Sequence, residues 1–165
     1  MCIGAQKVGW RSCTSHSDDR KPLTVLPVPM YRLFLSHGGD DTFIVKEFLR
    51  PMIDSSGATV FLDAGQLAYG DDFRETILNE LGSSDEILVF LTPSSTKRPW
   101  VFAEIGAMLV RGKRIVALRY GPTESELQEI GVLSLLGTKT LLRMEDLEEY
   151  VRQLKSRTLN GGRNA

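Results

Sequence analysis

The chain has 165 residues, 42% of them hydrophobic and 25% charged, a balance typical of one soluble folded domain. The formal net charge is −1, no basic block stands out, and no apolar run approaches the roughly 18 residues that span a bilayer, so general binding to nucleic acid or membrane is not supported. Two cysteines near the start, outside any Cys/His cluster, predict neither a zinc site nor a disulfide framework and fit a cytoplasmic protein.

The first half of the chain changes character at residue 30. Residues 1–29 show no periodicity, and we interpret them as a poorly ordered leader before Met30, which could be an alternative start. Residues 31–36 form an apolar run that predicts a strand, and the turn residues 37–40 end it. A helix should follow, with Asp40 or Asp41 as its cap, a kink or break at Pro51, and residues 58–62 as the second strand. The apolar positions of this predicted helix are Ile44, Phe48, Leu49, Met52 and Ile53.

The second half alternates strands and helices. Residues 63–70 are predicted to be a loop, and a helix opens near Asp72, which stands at capping-box spacing from Glu75. Pro99 suits the first position of a helix that runs to about residue 110. The remaining predicted elements are a third strand at 86–91, a fourth at 114–118, a short helix or loop at 122–132, a fifth strand at 138–142 and a final helix through Leu154. The predicted domain covers residues 30–158, and residues 159–165 read as a frayed tail.

This alternation predicts an α/β fold of the flavodoxin-like type. We expect a five-stranded parallel sheet in the order 2-1-3-4-5 with helices on both faces, a three-layer sandwich. Ligands of such sheets bind outside the carboxyl ends of the strands where the strand order reverses, here between strands one and three. Residues 36–41, 63–70 and 92–104 should converge there. Neither a GxGxxG fingerprint nor a P-loop is present, and the two histidines, His16 and His37, suggest no Ser/His/Asp triad.

Four motifs, in order, resemble the Toll/interleukin-1 receptor (TIR) domain family. The run at 31–37 (YRLFLSH) resembles its opening strand, and 60–63 (VFLD) with Gly70 resembles its second strand and the following BB loop, here residues 63–70. The run at 88–94 (LVFLTPS) resembles the third strand, and 100–106 (WVFAEIG) resembles the Trp-x-x-x-Glu helix of bacterial members. One departure is Arg98-Pro99 before the tryptophan, where the family often has Ser-x.

The resemblance implies an enzyme that cleaves the bond between nicotinamide and ribose in NAD, which is a substrate here and not a cofactor. It assigns Glu104 as the catalytic residue, and Trp100 lies one turn earlier on the same helix face. The chemistry agrees, since an oxocarbenium-like centre forms as the base leaves and one carboxylate can stabilise it. The other residues expected to contact substrate are Phe34, Ser36, His37, Asp63 and Gly70, and no metal is implied.

The resemblance also implies self-association through the BB loop, an activating partner protein, and a role in bacterial anti-phage signalling, with a linear or cyclic product. Two other functions remain open: a non-enzymatic TIR–TIR interaction module, and a nucleoside deoxyribosyltransferase-like enzyme. Structural readings stand beside the functional ones. Phe34 fits a core position, and Asp63 and Gly70 fit turn positions. Gly38 and Gly39 could bring the backbone close to a phosphate, but we favour turn flexibility as their role.

Overall fold

The computed structural model describes residues 30–62, 73–137 and 141–160. Its sheet is parallel throughout and has the order β2-β1-β3-β4-β5, which confirms the predicted topology. β1 is an interior strand, in which Leu33 pairs with Val60 on one side and with Glu86 on the other. The strands are β1 (Arg32–Ser36), β2 (Thr59–Leu62), β3 (Glu86–Leu91), β4 (Arg114–Arg119) and β5 (Leu142–Arg143).

Helices cover both faces of the sheet and create two separate apolar clusters. Successive residues of β1 point to opposite faces, so Leu33 and Leu35 enter the first cluster while Phe34 enters the second. α1, α2 and α7 contribute to the first cluster, and α3 to α6 contribute to the second. The helices are α1 (Thr42–Ile44), α2 (Arg50–Asp54), α3 (Phe73–Ser83), α4 (Pro99–Val110), α5 (Glu124–Glu129), α6 (Val132–Leu136) and α7 (Leu147–Leu159).

The helix after β1 is distorted one turn before the predicted break at Pro51. A π-helical segment, Val45–Leu49, joins α1 to α2, and the Arg50 N–H donates to the Val45 carbonyl. A widened turn suits this place because proline lacks an N–H and its ring crowds the carbonyl four residues earlier. The extra residue also shifts the helix register. Phe48 is therefore 57% exposed, and its predicted core position is wrong.

The carboxyl-terminal third follows the predicted order with shorter elements. β5 has two residues, Leu142–Arg143, and begins where the predicted strand was to end, while residues 138–140 lie outside the described part of the chain. Thr123 caps α5 in a reciprocal capping box with Glu126, a motif missed in the sequence. α7 runs to Leu159, one residue into the predicted tail. Within the described segments no helix has the length and apolarity to cross a membrane.

A buried carboxylate, Glu86, links β3, β4, α7 and the residue before β1 at the amino-terminal ends of the strands. It is fully buried at the start of β3 and accepts hydrogen bonds at 2.7 Å from the hydroxyls of Tyr31 and Tyr150. Arg157 of α7 approaches it at 3.1 Å, and Arg114 of β4 at 3.7 Å. Burial, followed by the charge of Glu86, raises the pKa of both tyrosine hydroxyls well above the ordinary value. The cluster anchors α7 to the sheet on the face opposite α4.

The loops that follow β1 and β3, at the carboxyl ends of these strands, are packed against each other. Asp41 is buried and accepts a 2.7 Å hydrogen bond from Thr92 Oγ1, rather than capping the helix as predicted. Gly38 lies beneath this contact, where an added Cβ would stand 2.7 Å from Asp41 Oδ2 and 2.8 Å from the Ser95 nitrogen. Its φ of −76° is open to any residue. Close approach, not turn flexibility, therefore requires glycine at position 38.

Alkaline pH should test the Glu86 cluster. A phenol whose folded-state pKa is raised keeps its proton after the unfolded chain has lost it, so this stabilisation is complete below about pH 10 and is lost at higher pH. The free energy of urea unfolding should therefore fall between about pH 10 and about pH 11. In Tyr31→Phe/Tyr150→Phe the fall should be shallower, with a loss of about 1–3 kcal/mol already at neutral pH. Tyr120→Phe, which removes an exposed hydroxyl outside the cluster, should keep the wild-type slope.

Substitution of the packed glycine should separate steric packing from backbone freedom. Gly38→Ala should lower the free energy of unfolding by about 1–3 kcal/mol, because the loops must move apart to admit the methyl group. Gly82→Ala in α3 is the matched control, since no described heavy atom lies within 4 Å of its added Cβ. It should be neutral or stabilising. Equal effects in the two variants, measured by chemical denaturation, would contradict the packing argument.

Candidate active site

Two of the three segments predicted to converge do so at the carboxyl ends of β1 and β3. Ser94 Oγ donates to Asp40 Oδ2 at 2.7 Å, beside the Asp41–Thr92 contact. The loop after β3 is also braced internally, because Thr92 Oγ1 accepts from the Ser95 N–H at 3.0 Å. The third segment, residues 63–70 with Asp63 and Gly70, lies outside the described residues. The roles of those two residues stay predictions.

α4 starts from this loop and carries Glu104 on its inward face. Pro99 opens the helix at a position where its missing N–H costs nothing, and the helix runs to Val110, as predicted. Glu104 is 1% exposed, and both of its carboxylate oxygens are buried. It shares the inward face with Val101 and Met108, each one helical turn away, and with the adjacent Ile105. Its burial distinguishes Glu104 from the solvent-facing acids of the chain, such as Glu129.

Trp100 lies one turn before Glu104 and is half-buried at the edge of the second apolar cluster. Phe34 belongs to the same cluster, so the tryptophan and the centre of β1 lie on one side of the sheet. Phe34 is fully buried, with its ring centroid 5.3 Å from that of Phe61. The structure therefore shows Phe34 as a core residue. Any contact with a ligand remains a prediction for this residue.

Ser36 and His37 end β1 as buried polar residues. By strand alternation Ser36 points to the same face as Phe34, the face that α4 covers. Ser36 is 0% exposed, and its hydroxyl has no hydrogen-bond partner among the described residues. The His37 Nδ1 lies 2.7 Å from the Gly38 carbonyl, an arrangement that assigns the proton to Nδ1 and leaves Nε2 as an acceptor in the neutral ring.

An open cavity of about 410 Å³ lies between the loops after β1 and β3, and its lining includes neither Ser36 nor Glu104. Its lining residues are Asp40, Pro93, Ser94, Lys97 and Arg98. It occupies the position where the strand order reverses, the place predicted for ligand binding. Lys97 was missed in the sequence, and Arg98 was noticed only as a departure from a family motif. The sequence did contain an indication of this basic pair, because two adjacent basic residues stand just before a predicted helix, in a segment expected to reach the ligand site.

Comparison with known proteins gives the family. A family model described as TIR domain matches residues 33–154. A 2' cyclic ADP-D-ribose synthase of Acinetobacter baumannii, AbTIR, is 27% identical over 141 residues, covering 80% of this chain. A 2' cyclic ADP-D-ribose synthase of Bacteroides thetaiotaomicron, BtTIR, is 28% identical over 85 residues, covering 52% of this chain. The matches span 51% of the former protein and 30% of the latter.

The fold is shared with TIR domains of animal receptors. The TIR domain of the Toll-related receptor TRR-2 from Hydra magnipapillata superposes with a TM-score of 0.57 at 20% identity, covering 79% of this chain and 96% of the receptor domain. At that identity the likeness concerns the fold alone. The family match and the two bacterial relatives, together with the observed strand order, identify the chain as a bacterial-type member of the TIR domain family.

Proposed function

We propose that this chain is an NAD glycohydrolase that cleaves the bond between nicotinamide and ribose. The observation that carries the proposal is Glu104, a carboxylate only 1% exposed on the inward face of α4 in a TIR domain. The two bacterial relatives carry names of enzymes that make a cyclic ADP-ribose, a product whose formation requires loss of nicotinamide from NAD. NAD is the substrate, and no cofactor or metal takes part in the proposed reaction.

Glu104 acts on charge that develops at the sugar. As the bond between ribose C1′ and the nicotinamide nitrogen breaks, its electron pair leaves with the base, which departs neutral, and positive charge appears on the ribose. A buried carboxylate stabilises that charge strongly because the surroundings exclude water. Water then attacks C1′ to give ADP-ribose, or a hydroxyl of the same molecule attacks to give a cyclic product. Since the leaving group is neutral, one carboxylate suffices.

The neighbours of Glu104 supply the walls and polar contacts of the ribose pocket. Trp100, half-buried one turn earlier, provides an aromatic wall, and Phe34 supports the pocket floor from within the core. Ser36 offers a buried hydroxyl, and the Nε2 of His37 offers an acceptor for a ribose hydroxyl. We propose that Asp63 and Gly70 of the BB loop also contact the substrate.

Self-association is the second part of the proposal. Residues 63–70 would contact a neighbouring copy and complete its site, and a partner protein would induce this assembly during an anti-phage response. Dilute protein would then be inactive. The activity assay must accordingly span a range of protein concentrations.

Glu104→Gln and Glu104→Ala should lower nicotinamide release by about 100-fold or more, because the charge that stabilises the cation is lost. Release of nicotinamide from NAD is followed by chromatography with concentrated protein, and thermal unfolding verifies that each variant is folded. Glu129→Gln, which neutralises an exposed acid on α5, is the control and should keep full activity. Continued release by folded Glu104→Gln would refute the catalytic role.

The same assay separates the other candidate functions. Absence of cleavage at every protein concentration, with concentration-dependent assembly retained, would identify an interaction module. Base exchange on a deoxynucleoside, with NAD left intact, would identify a deoxyribosyltransferase-like enzyme.

Ser36→Ala should lower activity without lowering stability. The Ser36 hydroxyl has no hydrogen-bond partner within the described parts of the chain, so its removal costs the folded state little, within about 0.5 kcal/mol. Loss of a hydrogen bond to ribose should lower kcat/KM for NAD about tenfold. Steady-state kinetics and urea unfolding measure the two effects, with exposed Ser125→Ala as the control. A loss of stability with unchanged kinetics would make Ser36 a structural residue.

A further inference from the structure

We infer that Lys97 and Arg98 form an anion site for the diphosphate of the dinucleotide substrate. The inference rests on the proposed function and adds the residues that would recognise the phosphate half of NAD. Both side chains line the 410 Å³ cavity between the loops after β1 and β3. The family motif does not supply this pair, because Arg98-Pro99 stands where a Ser-x sequence is usual.

The charges in this cavity are distributed in a way that favours an anion. Its nearest carboxylates are engaged by hydroxyl groups, since Asp40 accepts from Ser94 and Asp41 accepts from Thr92. Neither Lys97 nor Arg98 forms an ion pair with any described residue. The two positive charges therefore exceed the single carboxylate that lines the cavity, Asp40. A diphosphate would satisfy both cations, and arginine can hold it through two parallel hydrogen bonds.

The guanidinium of Arg98 lies against the backbone of Gly39. An added Cβ on Gly39 would stand 2.7 Å from a terminal nitrogen of Arg98, so the side chain lies directly over the glycine. Thus the absence of a side chain at position 39 gives the arginine room at the cavity wall. The first turn of α4, which follows at once, contains no acidic residue to oppose an anion.

The distance between this site and Glu104 suits the substrate. Arg98 and Glu104 are six residues apart, which is about 9 Å along the helix axis. In NAD the diphosphate is joined to the nicotinamide ribose through a single methylene group. A dinucleotide with its diphosphate at Lys97 and Arg98 can therefore extend its ribose along α4 towards Glu104 and Trp100.

Kinetics on two substrates should test the site. Lys97→Gln/Arg98→Gln should raise KM for NAD by about tenfold or more with little change in kcat, because a charge-assisted contact to a non-reacting group is lost. Cleavage of nicotinamide riboside, which has no phosphate, should not change. The charge-matched control is Arg152→Gln/Lys155→Gln on the exposed face of α7, and it should behave as wild type on both substrates.

Binding measured without catalysis separates this inference from the proposed function. Calorimetry with ADP-ribose, and with inorganic pyrophosphate, should show wild-type binding that the Lys97/Arg98 variant weakens about tenfold and the α7 control does not. That result supports the anion site even if nicotinamide is never released. Unchanged affinity in the Lys97/Arg98 variant, equal losses in both variants, or no binding of either probe to wild type would overturn it.

Discussion

The hydrogen bond from Thr92 to Asp41 holds together the two loops on which the rest of the site depends. It joins the end of β1 to the end of β3 across the place where strand order reverses, and it is formed above a glycine that no larger residue can replace without displacement. The loop after β3 leads within a few residues into α4. The contact between the two loops therefore fixes where α4, which carries Glu104, begins relative to the end of β1.

The elements that were best predicted from the sequence begin or end at residue types with a strong local preference. β3 is bounded by polar residues and was placed at its observed limits, and α4 begins at Pro99 because proline at that position has no N–H to satisfy. The strand order followed from the alternation of strands and helices, together with the right-handed crossover rule. Glu104 was identified through the resemblance to the Trp-x-x-x-Glu helix, and it is buried on the inward face of α4.

What sequence could not give were features that depend on residues far apart in the chain. The π turn shifts the register before Pro51, so a periodic pattern misplaced Phe48. Glu86 looks like an ordinary strand end until Tyr31, Tyr150 and Arg157 arrive from other elements. Asp41 is a residue type that often caps helices, but its side chain accepts a hydrogen bond from a residue 51 positions away. A local preference is overridden wherever tertiary packing offers a better partner.

The separation of the core into two clusters has a consequence for how such a domain can evolve. On one side of the sheet, Glu86 and its partners secure α7 through buried, mutually dependent contacts that tolerate little change. Glu104 and Ser36, whose hydroxyl has no hydrogen-bond partner among the described residues, lie on the side of the sheet that α4 covers. Sequence changes near α4 can therefore accumulate without disturbing the layer that contains α7. The sheet separates the residues of the candidate site from the buried charge cluster that anchors α7.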